Sequence, residues 1–335
     1  MSGPIRILAL DGGGIRGLIP ALVLDAIEQQ LGQPIAGSFD LISGTSTGGI
    51  LAVGLTTPGA NGRPKYAPAA LADLYRKEGG RIFHSTMGHK LTSLFSVNGP
   101  KYDAGGIEGV LNDYFGEARL KDSLTDVLVT SYEIDQLRDP FFFSSRMARS
   151  NPAYDFPIRL VARATSAAPT YFPPLKLTAN PGDTHPYYAL VDGGVFANNP
   201  ALCAYAEARA TDGAREVLIV SIGTGQREDS IPYDRARGWG LAGWARTIID
   251  VVFDGVADTV DYQLKQMLPA LPAGNLRYFR LQAKLDDNET AMDDTSPANL
   301  GRLQATAQRL VADNHDLIVS LCAELKAAGP VLVPA

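Results

Sequence analysis

The amino-terminal part of the chain contains one pattern twice: a short apolar stretch, a glycine-rich turn and a longer apolar stretch. The first copy is RILALDGGGIRGLIP, residues 6–20, and the second is FDLISGTSTGGILAVGL. We predict buried strands over residues 5–10 and 39–43 and a helix over about 18–31. Consecutive strand–turn–helix units are typical of α/β folds. The sequence therefore predicts a three-layer sandwich, in which helices flank a mostly parallel central sheet.

The rest of the chain favours one domain. Further strands are predicted at DVLVTSYEI, PFFFSS, YYALVDGG, EVLIVSIGTG and LRYFRLQA. Helices are predicted over about 240–268 and 297–327. We find no internal repeat, low-complexity tract or linker among the 335 residues. We therefore expect a single domain over residues 1–335, with a helical carboxy-terminal part at 240–335.

Composition excludes several classes of protein. The formal net charge of -6 argues against binding to nucleic-acid polymers through general electrostatics. The two cysteines, Cys203 and Cys322, are too few and too far apart for a disulfide framework. The amino terminus lacks the pattern of a signal peptide, and no apolar run reaches the length that spans a bilayer. We expect a cytoplasmic protein.

The glycine loop at residues 12–17, GGGIRG, satisfies G-x-G-x-x-G between a strand and a helix. A dinucleotide site also needs an acidic residue where the second strand ends, but Asp40 lies at its start and Ser43 at its end. A P-loop needs lysine after its last glycine, and Leu18 follows Gly17. A dinucleotide-binding oxidoreductase that uses the 12–17 loop stays as the alternative function.

The second turn, GTSTG, matches the nucleophile elbow G-x-S-x-G. Gly44 and Gly48 flank Ser46, and small residues there let a tight turn project the serine hydroxyl. The competing interpretation is that Ser46 caps the helix that follows. Acyl transfer also needs donors for the developing oxyanion, which the amides of Gly12, Gly13 and Gly14 can supply, with Arg16 adding positive charge.

The base that accepts the Ser46 proton is not an obvious histidine. None of the four histidines, His84, His89, His185 and His315, lies in a catalytic motif. Asp192 in LVDGG follows a buried strand, and Gly193 and Gly194 form the turn after it. If that strand is parallel to the first two, Asp192 lies at the same edge of the sheet. Burial there raises the pKa of a carboxyl toward neutrality, as a general base requires.

GGGIRG, GTSTG and DGG, in this order, resemble the oxyanion loop, nucleophile elbow and aspartate turn of the patatin-like phospholipases. ARATSAAPTYFPP at 162–174 and VSIGTG at 220–225 are also similar to stretches of that family, so the resemblance covers about 5–225. It implies a calcium-independent lipid acyl hydrolase with a Ser46–Asp192 dyad and no cofactor. The amides of residues 12–14 and Arg16 would then bind the oxyanion.

The resemblance further implies a phospholipid or other acyl-lipid substrate at a membrane surface, with the protein peripheral to the membrane when active. Some bacterial members of the family are membrane-degrading effectors activated by cyclic nucleotides, so we keep a cyclic-nucleotide activator and a homo-oligomer as open alternatives. The segment 239–268 carries large apolar residues at helical spacing, but its polar face is acidic. We expect it to pack on the sheet rather than to lie in a membrane.

Overall fold

The computed structural model describes residues 3–84, 99–211, 213, 215–227, 231–240, 243–244, 247–268, 277–286, 289 and 291–329. The strands are β1 (Ile5–Leu10), β2 (Leu41–Thr45), β3 (Asp126–Glu133), β4 (Pro140–Ser144), β5 (Leu175–Thr178), β6 (Tyr187–Asp192), β7 (Val217–Ile222), β8 (Gln226–Arg227), β9 (Tyr278–Leu281) and β10 (Lys284–Leu285). The helices are α1 (Leu18–Leu31), α2 (Thr47–Thr56), α3 (Pro68–Ile82), α4 (Gly105–Phe115), α5 (Ser145–Ser150), α6 (Ile158–Thr165), α7 (Gly194–Ala197), α8 (Ala201–Thr211), α9 (Tyr233–Ala236), α10 (Ile248–Met267), α11 (Pro297–Asp313) and α12 (His315–Ala327).

The main sheet has eight strands in the order β5-β6-β3-β2-β1-β7-β9, and β4 pairs with β3. Strands β3, β2, β1, β7 and β9 run parallel to one another. Strands β4, β5 and β6 pair antiparallel. The prediction of a mostly parallel central sheet is confirmed, with the antiparallel strands at one side.

Helices cover both faces of this sheet. Alternate residues of β1 face two different cores: Leu8 and Leu10 pack with one cluster, and Ile7 and Ala9 with the other. The first cluster includes residues of α1, α2, α3, α11 and α12, and the second those of α8 and α10. All six residues of β1 are buried, as expected for a parallel strand covered on both faces. The three-layer prediction is confirmed.

The predicted elements differ from the structure mainly in their boundaries. Strand β2 lies two residues later than the predicted 39–43, and the described part of 240–335 includes strands as well as helices. Helix α10 packs inward through Phe253, Ala257 and Leu264, so the sheet-packed interpretation is confirmed. Among described helices, none combines the length and apolar composition that crossing a bilayer requires. Cys203 and Cys322 are both free thiols.

Candidate active site

Ser46 lies at the sharp turn between β2 and α2. Its φ of 56° and ψ of −124° are sparsely populated by residues other than glycine, and such strain is typical of a nucleophile elbow. Ser46 occupies the N-cap position of α2, but its hydroxyl makes no capping hydrogen bond, so capping does not account for the serine side chain. The flanking glycines permit the turn, because a Cβ on Gly44 would lie 2.1 Å from the Gly48 carbonyl oxygen.

Asp192 ends strand β6 and is completely buried. Burial raises the pKa of its carboxyl to about 7, although the nearby Ser46 hydroxyl and the hydrogen bond from the Gly194 amide lower it in part. The Gly194 N–H donates to Oδ1 at 2.8 Å, whereas Oδ2 has no partner at hydrogen-bond distance among the described residues. Bonds between a nucleophile and its base are often long before substrate binds. A carboxyl with this pKa is suited to general-base chemistry near neutral pH.

Strand β3 brings the two residues together. Its consecutive residues Thr130 and Ser131 pair with Thr45 and Asp192 respectively. Because β4 occupies the other edge of β3, β2 and β6 share one edge and meet end to end there. Strand β6 is antiparallel to β3, so the condition under which the sequence placed Asp192 at this edge, a parallel strand, is not met. Asp192 nevertheless reaches Ser46, because β3 extends beyond the end of β2 and β6 returns along that extension.

The segment 162–174 supports both residues of the pair, a role that the sequence did not predict. The Thr165 hydroxyl, at the end of α6, accepts a hydrogen bond from the Ser46 N–H at 2.8 Å. Two residues later, the Ala167 carbonyl accepts from the Asp192 N–H at 3.0 Å. One short stretch therefore fixes the backbone at both positions. No local sequence signal distinguishes this role from ordinary helix termination.

The glycine loop presents two amides to the site rather than three. The Gly12 N–H donates to the Asn198 carbonyl oxygen at 3.0 Å, so the prediction of Gly12 as an oxyanion donor is corrected. Gly13 and Gly14 line the cavity beside Ser46, and their N–H groups donate to no other described residue. These two amides are therefore the donors that can meet an oxyanion.

Arg16 supports the loop from behind. Its side chain is buried, and its Nε donates to the Gly13 carbonyl oxygen at 3.3 Å. Arg16 is not among the described residues that line the cavity. The prediction that its charge faces the oxyanion is corrected, because the guanidinium contacts the opposite side of the loop.

A buried ion pair anchors the start of the same loop. Arg280 on β9 donates to both carboxylate oxygens of Asp11, at 2.9 and 2.6 Å, and to the Ser221 hydroxyl at 2.8 Å. The Asp11 carboxylate raises the pKa of Arg280, against the effect of burial, so the guanidinium stays charged. Breaking such a pair is strongly destabilising because one buried charge remains uncompensated. Sequence reasoning missed Arg280, which lies outside the recognised motifs.

The described histidines do not lie beside Ser46. His84, His185 and His315 do not line the cavity beside Ser46, and His89 lies outside the described residues. His185 contacts Asp183 and Thr184 in a turn before β6. The described residues also contain no group of three or more His, Cys, Asp or Glu side chains that could hold a metal ion.

An apolar cavity opens beside the elbow. Its empty space, with the open mouth included, is about 580 Å³. Ser46, Gly13 and Gly14 form one part of its wall, and the rest is mainly aliphatic and aromatic, including Ile50, Tyr75, Ile82, Phe83, Ile107 and Phe172. The cavity therefore accepts an apolar group next to the serine hydroxyl.

Comparison with known proteins identifies the family. The patatin-like phospholipase model matches residues 8–205. Patatin-like protein 4 of Arabidopsis thaliana is 33% identical to this chain, in a match that covers 92% of this chain and 84% of the relative. Patatin-like protein 2 of the same plant is 34% identical, in a match that covers 92% of this chain and 83% of the relative. Patatin-03 of Solanum tuberosum is 32% identical over 92% of this chain and 84% of its own. Among solved structures, human GIVD cytosolic phospholipase A2 has a TM-score of 0.45 and 11% identity, covering 97% of this chain and 60% of its own.

The family assignment rests on the sequence matches. The model covers more than half of the chain, and the relatives extend the similarity over nearly all of it. The chain belongs to the patatin-like phospholipase family, and the resemblance inferred from its motifs is confirmed. It is an enzyme of the lipid-ester hydrolase class.

Proposed function

We propose that the protein hydrolyses fatty-acyl ester bonds of phospholipids or related acyl lipids through Ser46 and Asp192. One observation carries the proposal. A serine in a strained elbow and a buried carboxyl with a pKa near 7 meet where β2 and β6 end against adjacent residues of β3. This combination supplies a nucleophile and a base that is matched to neutral pH.

In the first half of the reaction, Asp192 accepts the proton of the Ser46 hydroxyl while Oγ attacks the ester carbonyl carbon. Negative charge develops on the carbonyl oxygen, and the N–H groups of Gly13 and Gly14 stabilise it. The tetrahedral intermediate collapses as the ester C–O bond breaks. The leaving alcohol takes the proton from Asp192, and the acyl group stays on Ser46.

In the second half, a water molecule gives a proton to Asp192 and attacks the acyl-enzyme carbonyl. The same two amides stabilise the second oxyanion. The bond to Ser46 Oγ then breaks, Oγ takes the proton back from Asp192, and the fatty acid leaves. Asp192 therefore acts as base and then as acid in each half, which a pKa near 7 permits.

The apolar cavity supports a lipid rather than a small polar ester as substrate. Its aliphatic and aromatic wall begins at Ser46 and holds the acyl chain by burying apolar surface.

The packing of the glycine loop argues against the alternative of a dinucleotide site. A Cβ on Gly12 would lie 2.3 Å from the Asn198 side chain, and one on Gly14 would lie 2.2 Å from the Met292 carbonyl oxygen. The loop is thus packed against its own chain.

The proposal is tested with three variants on vesicles of phospholipid, galactolipid and triacylglycerol, with products identified by mass spectrometry. Ser46→Ala and Asp192→Asn should each abolish release of fatty acid, whereas Ser43→Ala, at a neighbouring buried serine, should retain it. A fluorophosphonate should label the wild type at Ser46 and leave Ser46→Ala unlabelled. Fatty-acid release by folded Asp192→Asn near the wild-type rate would overturn the dyad.

We propose that hydrolysis is independent of calcium, since Ser46, Asp192 and the loop amides together supply every proton transfer and charge contact of the reaction. The protein then works as a peripheral protein at a membrane surface. A membrane-degrading role, a cyclic-nucleotide activator and a homo-oligomer stay predictions. Hydrolysis with and without added cyclic nucleotides, and sedimentation of the active protein, test them.

A further inference from the structure

The direction of an oxyanion donor is set by the carbonyl group on the same peptide unit. A trans peptide is planar, and its N–H and C=O point in opposite directions. The N–H of Gly13 shares a peptide unit with the Gly12 carbonyl, and the N–H of Gly14 shares one with the Gly13 carbonyl. Whatever holds these two carbonyl groups therefore aims the two amides.

Both carbonyl groups are held from the side away from the cavity. The Thr224 hydroxyl donates to the Gly12 carbonyl oxygen at 2.6 Å. The Gly13 carbonyl accepts from the Arg16 backbone N–H and from Arg16 Nε, each at 3.3 Å. Thr224 and Arg16 do not belong to the described cavity wall, whereas Gly13 and Gly14 do.

The hydroxyl of Thr224 is itself fixed in place. Thr224 is 2% exposed and lies in the VSIGTG stretch, in the turn after β7. The Gly223 N–H donates to the Leu281 carbonyl at 2.9 Å, and the Gly225 N–H donates to Gln282 Oε1 at 2.8 Å. The turn is therefore tied on both sides of Thr224 to the last residue of β9 and the residue that follows it.

The contact between Thr224 and the loop leaves no space. A Cβ added to Gly13 would lie 2.2 Å from Thr224 Oγ1 and 2.6 Å from its Cβ. The loop backbone thus rests directly on the threonine side chain. A hydroxyl in this position both bonds the Gly12 carbonyl and limits how far the Gly12–Gly13 peptide can rotate.

We propose that Thr224 is a positioning residue for the oxyanion site: its hydroxyl holds the Gly12 carbonyl and so aims the Gly13 N–H at the reacting carbonyl oxygen. The inference rests on the proposed acyl transfer at Ser46. Thr224 does not touch the substrate. Its effect appears when negative charge develops, because that is when the Gly13 amide is needed.

The test compares Thr224→Val, which keeps the shape but removes the hydroxyl, with Thr224→Ser, which keeps the hydroxyl. Removal of one oxyanion donor typically costs about 10² to 10³ in kcat, and loss of its alignment costs part of that. We expect Thr224→Val to lower kcat about 10- to 100-fold with KM within about 2-fold, because ground-state binding is unchanged. Thr224→Ser should restore kcat to within about 3-fold of the wild type.

A second readout separates alignment from general damage. A trifluoromethyl ketone analogue of the ester adds to Ser46 and places an oxyanion in the site. Its inhibition constant should rise by the same factor as kcat falls in Thr224→Val, while the inhibition constant of the fatty-acid product stays constant. If Thr224→Val does not fold, Thr224→Ala replaces it in both measurements.

Two outcomes overturn the inference: a kcat of Thr224→Val within about 3-fold of the wild type, or a fall in kcat that Thr224→Ser does not restore. Ser46→Ala is assayed beside these variants. If Ser46→Ala is inactive and Thr224→Val is fully active, only the role of Thr224 fails. If Ser46→Ala retains hydrolysis, the acyl-transfer proposal itself fails.

Discussion

Replacement of Asp192 by asparagine is expected to abolish hydrolysis and, at alkaline pH, to stabilise the fold. Burial raises the pKa of the Asp192 carboxyl from 3.8 to about 7. The native state therefore binds this proton more tightly than the unfolded state does. Between the two pKa values the unfolded state binds fewer protons, so wild-type stability falls as the pH rises through that interval. Asparagine cannot ionise and escapes this loss.

The expected gain in unfolding free energy follows from the shift of the Asp192 pKa. A rise from 3.8 to about 7 is about 3 pKa units. At about 1.4 kcal/mol per unit, ionised Asp192 costs the native state about 4 kcal/mol at pH 8. At pH 5 the cost is only about 1.5 kcal/mol, because the native carboxyl keeps its proton there. The asparagine side chain of the variant also keeps an acceptor for the Gly194 N–H and places a donor where Oδ2 of the wild type has no described partner.

The assay is urea unfolding of both proteins at pH 5 and pH 8, at constant ionic strength, followed by circular dichroism. The gain in unfolding free energy from Asp192→Asn should be about 2.5 kcal/mol larger at pH 8 than at pH 5. Asp183→Asn is the control: burial raises the Asp183 pKa, but hydrogen bonds from His185 and Tyr188 hold it below its usual value, so this variant should lose a similar amount of stability at pH 5 and pH 8, where the carboxyl is ionised in both states. An equal gain at both pH values would refute a raised Asp192 pKa.

Three further predictions concern the site. Gly13→Ala should lower kcat by about 10² to 10³, because its Cβ meets Thr224, whereas Gly37→Ala, with open space at its Cβ, should keep full activity in the same esterase assay. Thr165→Val should lower kcat about 10-fold and the unfolding free energy by about 1 to 3 kcal/mol, because the buried Ser46 amide loses its acceptor. Thr165→Ser keeps the acceptor, so its activity and its urea unfolding should match those of the wild type. EDTA should leave vesicle hydrolysis unchanged, and a loss that calcium restores would contradict calcium independence.

The local parts of this site could be predicted from the sequence, because short-range signals specify them. The apolar runs specified β1 and α1, and the small residues around Ser46 specified the elbow. Each depends on neighbours within a few positions of the chain. The identities of Ser46 and Asp192 as candidates followed from such turns alone.

The long-range parts could not be predicted. The direction of β6 depends on its pairing with β3, which begins some 60 residues earlier, and no residue within β6 encodes it. The Gly12 N–H donates to the Asn198 carbonyl oxygen. Arg280 pairs with Asp11 at the start of the loop, and the Thr224 hydroxyl donates to the Gly12 carbonyl oxygen. These contacts join segments that are distant in sequence, so they appear only when the sheet has formed.

If Asp192 accepts the proton of Ser46, the rate at which a fluorophosphonate phosphonylates Ser46 depends on the protonation of Asp192 and therefore on pH. A water-soluble fluorophosphonate is reacted with the wild type and Asp192→Asn between pH 5 and pH 9, and labelling is followed by intact-protein mass spectrometry. The wild-type rate should rise with pH through a midpoint near 7, where Asp192 loses its proton. Asp192→Asn should react at least about 10²-fold more slowly and without that midpoint. The same midpoint and rate in Asp192→Asn would show that Asp192 is not the base for Ser46.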